Sequence, residues 1–185
     1  MSYCTVAQLK AYQKITTTVD DTLLADIVAR ASALIDAYCG RSFSATTKTR
    51  YYQLGNVWDN GRLWLDDDLL TVTSLTNGDT STLLPAVYWL EPRDKPPYRF
   101  IHLKSGYSWI FDTDGEVVVT GTWGYSATAP SAIEQAALRM AGYIYAQKDA
   151  QVFDTTASPD IGIITIPAGI PKDVKIILDS FRRLA

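Results

Sequence analysis

Residues 130–149 read PSAIEQAALRMAGYIYAQKD, and this stretch decides the fold. Pro130 suits the first turn of a helix, and Ser131 with Glu134 three residues later has the spacing of a capping box. Apolar side chains recur at steps of three and four on one face of this helix: Ile133, Ala136, Ala137, Met140, Ala141, Ile144 and Tyr145. The pattern predicts an amphipathic helix with one buried face. Small residues on that face would let a second helix approach closely.

The partner for this helix is predicted between residues 20 and 39. Asp20 or Asp21 is expected to cap it, and Gly40 is expected to end it in a left-handed conformation near Cys39. Its apolar stripe is long enough to match the first helix: Leu23, Leu24, Ile27, Val28, Ala31, Leu34, Ile35 and Tyr38. We therefore expect the two long helices to pack against each other.

Two shorter helices are predicted near the two ends of the sequence. Thr5 and Gln8 have capping-box spacing, so a helix should run from residue 6 to about 12 with Val6, Leu9 and Tyr12 turned inward. Pro171 should open a last helix over residues 172–184. Its apolar stripe is Val174, Ile177, Leu178 and Phe181, and Arg182 and Arg183 follow at the C-terminal end, where cations suit the helix dipole.

At Thr46 the spacing of apolar residues changes from the helical period to an alternation of apolar and polar residues. After a first strand, further strands are predicted at 61–65, 69–76, 83–90, 98–103, 108–111 and 117–123, with hairpin turns at 77–79 and 112–115. All five tryptophans (Trp58, Trp64, Trp89, Trp109 and Trp123) lie in this part of the chain. Because large aromatic residues favour pleated, half-buried surfaces, the sequence predicts an antiparallel sheet or a small barrel.

Residues 151–169 follow neither the helical nor the alternating hydrophobic pattern. At this length the segment is a functional loop, an extended arm or a short hairpin, and a long arm suggests a partner. The fold class expected from the whole pattern is α+β, in which a small helical bundle of two long and two short helices carries an inserted antiparallel β portion. We expect one domain over residues 1–185, with 1–45 helical, 46–126 β-rich, and 127–185 supplying a long helix, the arm and the C-terminal helix.

Composition excludes several functional classes. The net charge of -3 and the pI near 5.1 argue against a protein that grips phosphate backbones. Two cysteines, Cys4 and Cys39, do not make a disulfide framework, so we expect buried, reduced thiols. Neither a run of about 20 apolar residues nor a signal peptide is present. These features predict a soluble protein, made in a cytoplasm and with no membrane partner.

No catalytic, cofactor-binding or metal-binding set is predicted. His102 has no visible partners for chemistry and is interpreted as a structural or surface residue. The aspartates at 66–68 are interpreted as a solvated turn between two strands, and the Asp112–Gly115 motif is interpreted as a hairpin turn. Both lack the ligand spacing of a calcium loop. The tryptophan-rich middle leaves an alternative function open, a carbohydrate- or protein-binding module, although core packing of these rings is favoured.

The order of the features resembles the phage head–tail connector family, also called adaptor or head completion proteins, in the branch with an enlarged β portion. The segments that carry this resemblance are TVAQLKAY at 5–12, DDTLL at 20–24, ASALIDAYCGR at 31–41, TRYY at 49–52, LTVTSL at 70–75, VVVTGTWGY at 117–125, the helix at 130–146, and IPKDV at 170–174 with FRRL at 181–184. Together they cover almost the whole chain.

The resemblance implies a non-enzymatic structural virion protein. Such a protein is made in the bacterial host and forms a ring under the portal vertex, where it joins head to tail and completes the head after DNA packaging. Its implied partners are the portal protein, further copies of itself and a stopper or tail completion protein, while DNA passes through without specific binding. By this resemblance the portal contact falls on Phe181, Arg182, Arg183 and Leu184.

The arm is a candidate for contacts with a neighbouring subunit or with the tail. This is inferred from its length and from its strand-forming residues, which suit addition to a neighbour's sheet edge. Its candidate contact residues are Val152, Phe153, Ile161, Ile163, Ile164 and Ile166.

Overall fold

The computed structural model of the chain describes residues 2–58, 60–111, 115–148, 155–158, 162–165 and 169–183. The chain divides into two compact units. The helical unit comprises Met1–Gly40 and Pro130–Ala185, and the β unit comprises Arg41–Ala129. Helices and an antiparallel sheet confirm the α+β class.

The helical unit is built around two long helices, as the apolar stripes predicted. Its helices are α1 (Val6–Gln13), α2 (Asp21–Cys39), α3 (Ser131–Gln147) and α4 (Lys172–Asp179). α2 packs on α3, and the two short helices contact both of them. The buried residues of the long pair are Leu24, Ile27, Val28, Ala31 and Ile35 from α2 and Ile133, Ala136, Ala137, Met140 and Ala141 from α3. The expected pairing is therefore confirmed.

Two of the predicted helix caps are present. Thr5 and Gln8 form the capping box at the start of α1, and Gly40 ends α2 with a φ of 64°, in the left-handed region that glycine adopts without strain. The capping box at Ser131 is wrong, because Pro130 occupies the N-cap position and Ser131 is already helical. Asp20 is the N-cap of α2 but makes no side-chain cap bond.

Four expectations about helix faces and lengths are also wrong. Tyr12 is 52% exposed, and Leu23 and Leu34 are exposed, although all three belong to the predicted apolar stripes. α4 ends at Asp179 and not at residue 184, so Arg182 and Arg183 lie beyond the helix. In each case the hydrophobic period extends past the surface that the neighbouring helices cover.

The β unit contains a five-stranded antiparallel sheet in the order β1-β5-β2-β4-β3. The strands are β1 (Thr46–Tyr52), β2 (Arg62–Thr76), β3 (Tyr88–Glu91), β4 (Tyr98–Leu103) and β5 (Val117–Trp123), with 3-10 turns at Leu54–Asn56 and Pro85–Val87. Its core includes Leu63, Leu65, Leu69, Leu75, Ile101, Val117, Val119 and Trp123. The sheet alternative is thereby favoured over the barrel.

The strand boundaries need correction in three places. The predicted strands at 61–65 and 69–76 form the single strand β2, whose register shifts mark bulges. Pro85 opens a 3-10 turn, so only the second half of the strand predicted at 83–90 exists. Residues 108–111 form no strand. The turn at 77–79 is confirmed, since Asn77 N donates to Ser81 O at 2.8 Å. Most of the predicted 112–115 turn lies outside the described residues.

The arm contains a short hairpin, one of the three alternatives for residues 151–169. Strands β6 (Thr155–Ser158) and β7 (Gly162–Thr165) pair antiparallel, with Thr155 opposite Thr165 and Ser158 opposite Gly162. They form a two-stranded sheet of their own.

The run of three aspartates lies inside β2, so its interpretation as a solvated turn is wrong. Asp66 and Asp67 accept hydrogen bonds from the guanidinium of Arg50, at 2.7 Å in the case of Asp67. Asp68 is fully buried and lies 3.3 Å from Nε of Arg41, whose side chain is also buried. Two arginines thus form ion pairs with all three aspartates, and the pair of Arg41 with Asp68 is buried inside the β unit.

Replacing Asp68 by Asn should destabilise the protein far more than the same change at Asp66. Breaking a buried ion pair by removing one charge costs about 3–5 kcal/mol, because the remaining charge stays in a medium that solvates it poorly. Asp66→Asn is the matched control, since Asp66 is half exposed; a partly exposed pair contributes below about 1 kcal/mol. Urea unfolding of both variants measures the difference, and equal losses of stability would contradict the assignment.

Candidate assembly surfaces

The predicted portal-contact segment is held against the C-terminal end of α2. The amide of Arg183 donates a hydrogen bond of 2.8 Å to the carbonyl oxygen of Cys39, one of the carbonyls that a helix end leaves without an intrahelical donor. The amide of Phe181 donates to Leu178 O at 2.9 Å, and its ring is half buried. Leu184 lies outside the described residues. The backbone of this segment is therefore part of the fold of the helical unit.

Tyr38 connects α2, α4 and the C-terminal segment. Its hydroxyl donates to the carboxylate of Asp179, and the guanidinium of Arg182 lies 5.4 Å from the centre of its ring. The hydrogen bond to Asp179 is the main reason why the pKa of Tyr38 is raised, followed by desolvation. Arg182 is exposed while Phe181 and Arg183 are half buried. Among the described residues of the predicted contact set, Arg182 is thus the most available to a partner.

α4 is fixed to α3 at its N-terminal end. Arg139 donates to the carboxylate of Asp173 at 2.6 Å, and this bond is the main cause that lowers the pKa of Asp173. Val174 and Leu178 are buried beneath the helix, whereas Ile176, Lys172 and Lys175 are exposed. The outer face of α4 is accordingly charged apart from one isoleucine.

The opposite end of α2 is fixed as well. The carboxylate of Asp20 accepts hydrogen bonds from Lys148 Nζ at 2.6 Å and from the hydroxyl of Tyr145 at 2.7 Å. These two donors lower the pKa of Asp20, Lys148 being the larger cause. The start of α2 therefore meets the end of α3, which makes the two long helices antiparallel.

Only part of the predicted arm contact set can be placed. Ile163 and Ile164 lie in β7, opposite Ala157 and Thr156 of β6. Val152, Phe153, Ile161 and Ile166 lie outside the described residues. In the sequence, the arm lies between α3 and α4.

The β unit has an aromatic cavity of about 610 Å³, where the alternative of a carbohydrate- or protein-binding module would apply. Its lining includes Leu54, Val57, Trp89, His102, Tyr107 and Trp109. The indole N–H of Trp109 donates to Gly61 O at 2.9 Å, and that of Trp89 donates to Glu91 at 3.1 Å. These indole N–H groups are used within the protein, which favours a packing role for both rings.

His102 and the two cysteines have structural surroundings. His102 stacks edge-on against Trp89 and lies 3.4 Å from the carboxylate of Glu91. Cys4 and Cys39 are buried, as predicted, and are not joined in a disulfide; burial raises the pKa of the Cys4 thiol, with Glu134 adding to the effect. Within the described ranges, no cluster of three or more His, Cys, Asp or Glu residues is arranged to hold a metal ion.

None of the helices in the described part of the chain is both long and apolar enough to cross a membrane.

Taken together, the fold and its surfaces define a structural protein whose exposed features suit contacts with other proteins. Comparison with known proteins identifies the family. The model of the head completion protein family matches residues 3–184, so the chain belongs to that family. Its role is therefore structural, at the junction of the phage head and tail. No curated protein matches the chain.

Solved structures from gene transfer agent particles share the fold. A chain from the neck of an empty particle, computed with C6 symmetry, has a TM-score of 0.67 and 18% identity, and the match covers 97% of this chain and 89% of that one. A chain from the neck of a native particle, computed with C12 symmetry, has a TM-score of 0.64 and 18% identity, and the match covers 97% of this chain and 88% of that one. A chain from the virion of the native particle has a TM-score of 0.65 and 18% identity, and the match covers 97% of this chain and 89% of that one.

The sequence did not predict the contacts that hold the C-terminal segment. Tyr38 and Asp179 are separated by 141 positions, and no local period or spacing connects them. Tyr38 was assigned to the apolar stripe of α2 because its ring fits that stripe, and its hydroxyl gave no further signal. The pairing depends on where α4 ends, which the sequence placed five residues too late.

Replacing Tyr38 by Phe should loosen residues 181–183 without unfolding the helical unit. The ring under Arg182 stays, but the hydrogen bond to Asp179 is lost, and losing one such bond should speed amide exchange of Arg183 about two- to tenfold. Hydrogen exchange measured by mass spectrometry on C-terminal peptides tests this. Tyr51→Phe, an exposed tyrosine of β1, is the control and should leave those peptides unchanged. An unchanged rate in the Tyr38 variant would show that Arg183 does not depend on this bond.

Proposed function

We propose that copies of this protein form a ring beneath the portal vertex, join the head to the tail and complete the head after DNA packaging. The observation that carries this proposal is the family match over residues 3–184, nearly the whole chain. The shared fold with chains from particle necks agrees with it. In this position the protein belongs to the virion, at the head–tail junction.

A ring is the assembly that the rotational symmetry of the related necks supports, since those structures were computed with C6 and C12 symmetry. A closed ring of identical copies needs a heterologous interface, in which one surface patch meets a different patch on the next copy. The arm at residues 151–169 supplies one such patch. Its proposed contact residues are Val152, Phe153, Ile161, Ile163, Ile164 and Ile166.

The portal contact is proposed for the C-terminal end of the helical unit, whose four helices act as a small bundle. Phe181, Arg182, Arg183 and Leu184 form this contact set. The arrangement supports the proposal because the backbone of Arg183 is fixed to α2 while the side chain of Arg182 is exposed. A fixed backbone presents its exposed side chain at little entropic cost on binding. The stopper or tail completion protein would then meet the completed ring from the tail side.

The charge of the protein suits a channel through which DNA passes. Neutralised phosphates set the affinity of a protein for DNA, and a chain of net charge -3 has no excess of cations to neutralise them. DNA is therefore a neighbour that passes through and not a specific ligand.

Mixing the purified protein with the portal protein from the same genome should add a ring of density to the portal. Negative-stain electron microscopy, with DNA-filled and empty heads as further substrates, measures this. Portals and filled heads that stay bare would overturn the proposal. Titration of the protein with diverse soluble glycans, followed by tryptophan fluorescence, distinguishes the alternative of a carbohydrate-binding module, which requires quenching.

Arg182→Ala should weaken binding to the portal by about fivefold or more, because truncating an arginine at the centre of an interface costs more than about 1 kcal/mol. Its fold should be unchanged, since its side chain is exposed. Lys175→Ala removes one exposed positive charge from α4 and is the matched control. Surface-immobilised portal measures both affinities, and equal effects of the two substitutions would argue against a specific contact at Arg182.

A further inference from the structure

Among the described residues, the hairpin of the arm is a sheet of two strands. β6 and β7 pair with each other, and within the described residues neither pairs with a strand of the five-stranded sheet. A two-stranded hairpin of four residues per strand is marginal in water, because it buries too little surface and leaves two open edges. The hairpin therefore needs another strand or a packing surface.

The five-stranded sheet has two edges that differ in how open they are. β3 has four residues and is bounded by the Pro85–Val87 turn and by Pro92, and both short length and flanking proline protect an edge. β1 has seven residues and no proline. Within the described part of the chain its only strand partner is β5. Every second residue of such an edge directs its N–H and C=O away from the sheet. β1 is thus the edge that can accept another strand.

The side chains of β1 also suit the arm. Thr47, Lys48 and Thr49 are exposed, and Tyr51 is 63% exposed. Threonine and tyrosine favour strands, and an aromatic residue beside a β-branched one stabilises a cross-strand pair. β7 contributes Ile163 and Ile164 from its sequence.

The charges are complementary as well. Residues 149–171 contain three aspartates (Asp149, Asp154 and Asp160) and neither lysine nor arginine. β1 presents the exposed Lys48, whereas the charge of Arg50 on the same strand is already paired with Asp66 and Asp67. Lys48 therefore supplies the positive charge that this edge offers to an acidic arm.

We infer that β7 of one copy pairs with β1 of the next copy, so that each hairpin extends the five-stranded sheet of its neighbour. The inference rests on the proposed ring and names the two patches that meet in it. Each copy gives its hairpin and accepts another through a different patch, β1, as a heterologous interface requires. In the closed ring, every β1 edge and every hairpin has a strand partner beyond those that the described residues of one copy supply.

Paired cysteines test this contact directly. One set of variants carries Thr47→Cys, Thr49→Cys or Tyr51→Cys on β1, and the other carries Ile163→Cys or Ile164→Cys on β7. Neighbouring strands bring opposite side chains close enough for a disulfide, and testing every combination removes the need to know the register. Each β1 variant is mixed with each β7 variant, assembled with portal protein and oxidised mildly. Because the two cysteines are on different chains, only a contact between copies gives a mixed dimer.

At least one β1–β7 combination should shift the monomer band to a mixed dimer on a non-reducing gel. Double variants, which carry the β1 and β7 cysteines of that combination in one chain, should give a ladder of larger species. Val19→Cys, which is highly exposed in the helical unit, is the control partner for β7 and should give no such shift. Wild-type protein, with both cysteines buried, sets the baseline. Circular dichroism confirms that each variant folds.

The outcomes separate this inference from the proposed function. A ring on the portal without any β1–β7 dimer overturns the inference and leaves the function. Mixed dimers specific to β1 support the inference even where portals stay bare, whereas bare portals with no dimer overturn both. A disulfide that forms within one chain of a double variant but never between mixed single variants also overturns the inference.

Discussion

The helical unit depends on the close packing of α2 against α3. Small residues make it close: Ala31, Ala136, Ala137 and Ala141 are fully buried, so the two backbones approach where larger side chains would separate them. Gly142 continues this surface, since a Cβ at that position would lie 2.3 Å from the side chain of Gln13 in α1. α1 and α4 each pack against both long helices of this pair.

Contacts at the two ends of α2 then fix the end of α3 and the C-terminal segment. At its start, Asp20 binds Tyr145 and Lys148, which places the end of α3 and hence the point where the arm begins. At its end, Cys39 accepts from Arg183 and Tyr38 binds Asp179, which places the C-terminal segment. The end of α3, which precedes the arm in the sequence, and the C-terminal segment thus lie at opposite ends of α2.

In the β unit, the acidic residues of β2 form ion pairs with arginines of the same unit. Asp66, Asp67 and Asp68 follow one another along β2, in the part of the strand where its register against β4 shifts. Arg50 binds the first two, while the buried third carboxylate faces Arg41. Arg41 also lies 5.0 Å from the ring centre of Tyr125, and Arg50 lies 4.9 Å from that of Trp123. The three aspartates, which resemble a surface cluster in the sequence, thus form ion pairs within the β unit. The edge strand β1 has exposed side chains that another protein can contact.

The sequence by itself determined the long helices, the capping box at Thr5, the turn at Gly40, strands β1, β4 and β5, and the family resemblance, because each depends on a local period or on a residue with a special conformation. Only the tertiary structure decided that Asp66–Asp68 lie within one bulged strand, that Tyr12 and Leu34 are exposed, and that α4 stops at Asp179. It also decided the links from Tyr38 and Cys39 to the C-terminal segment. These features depend on which surfaces distant parts of the chain cover, and a local pattern carries no information about a partner more than 100 residues away.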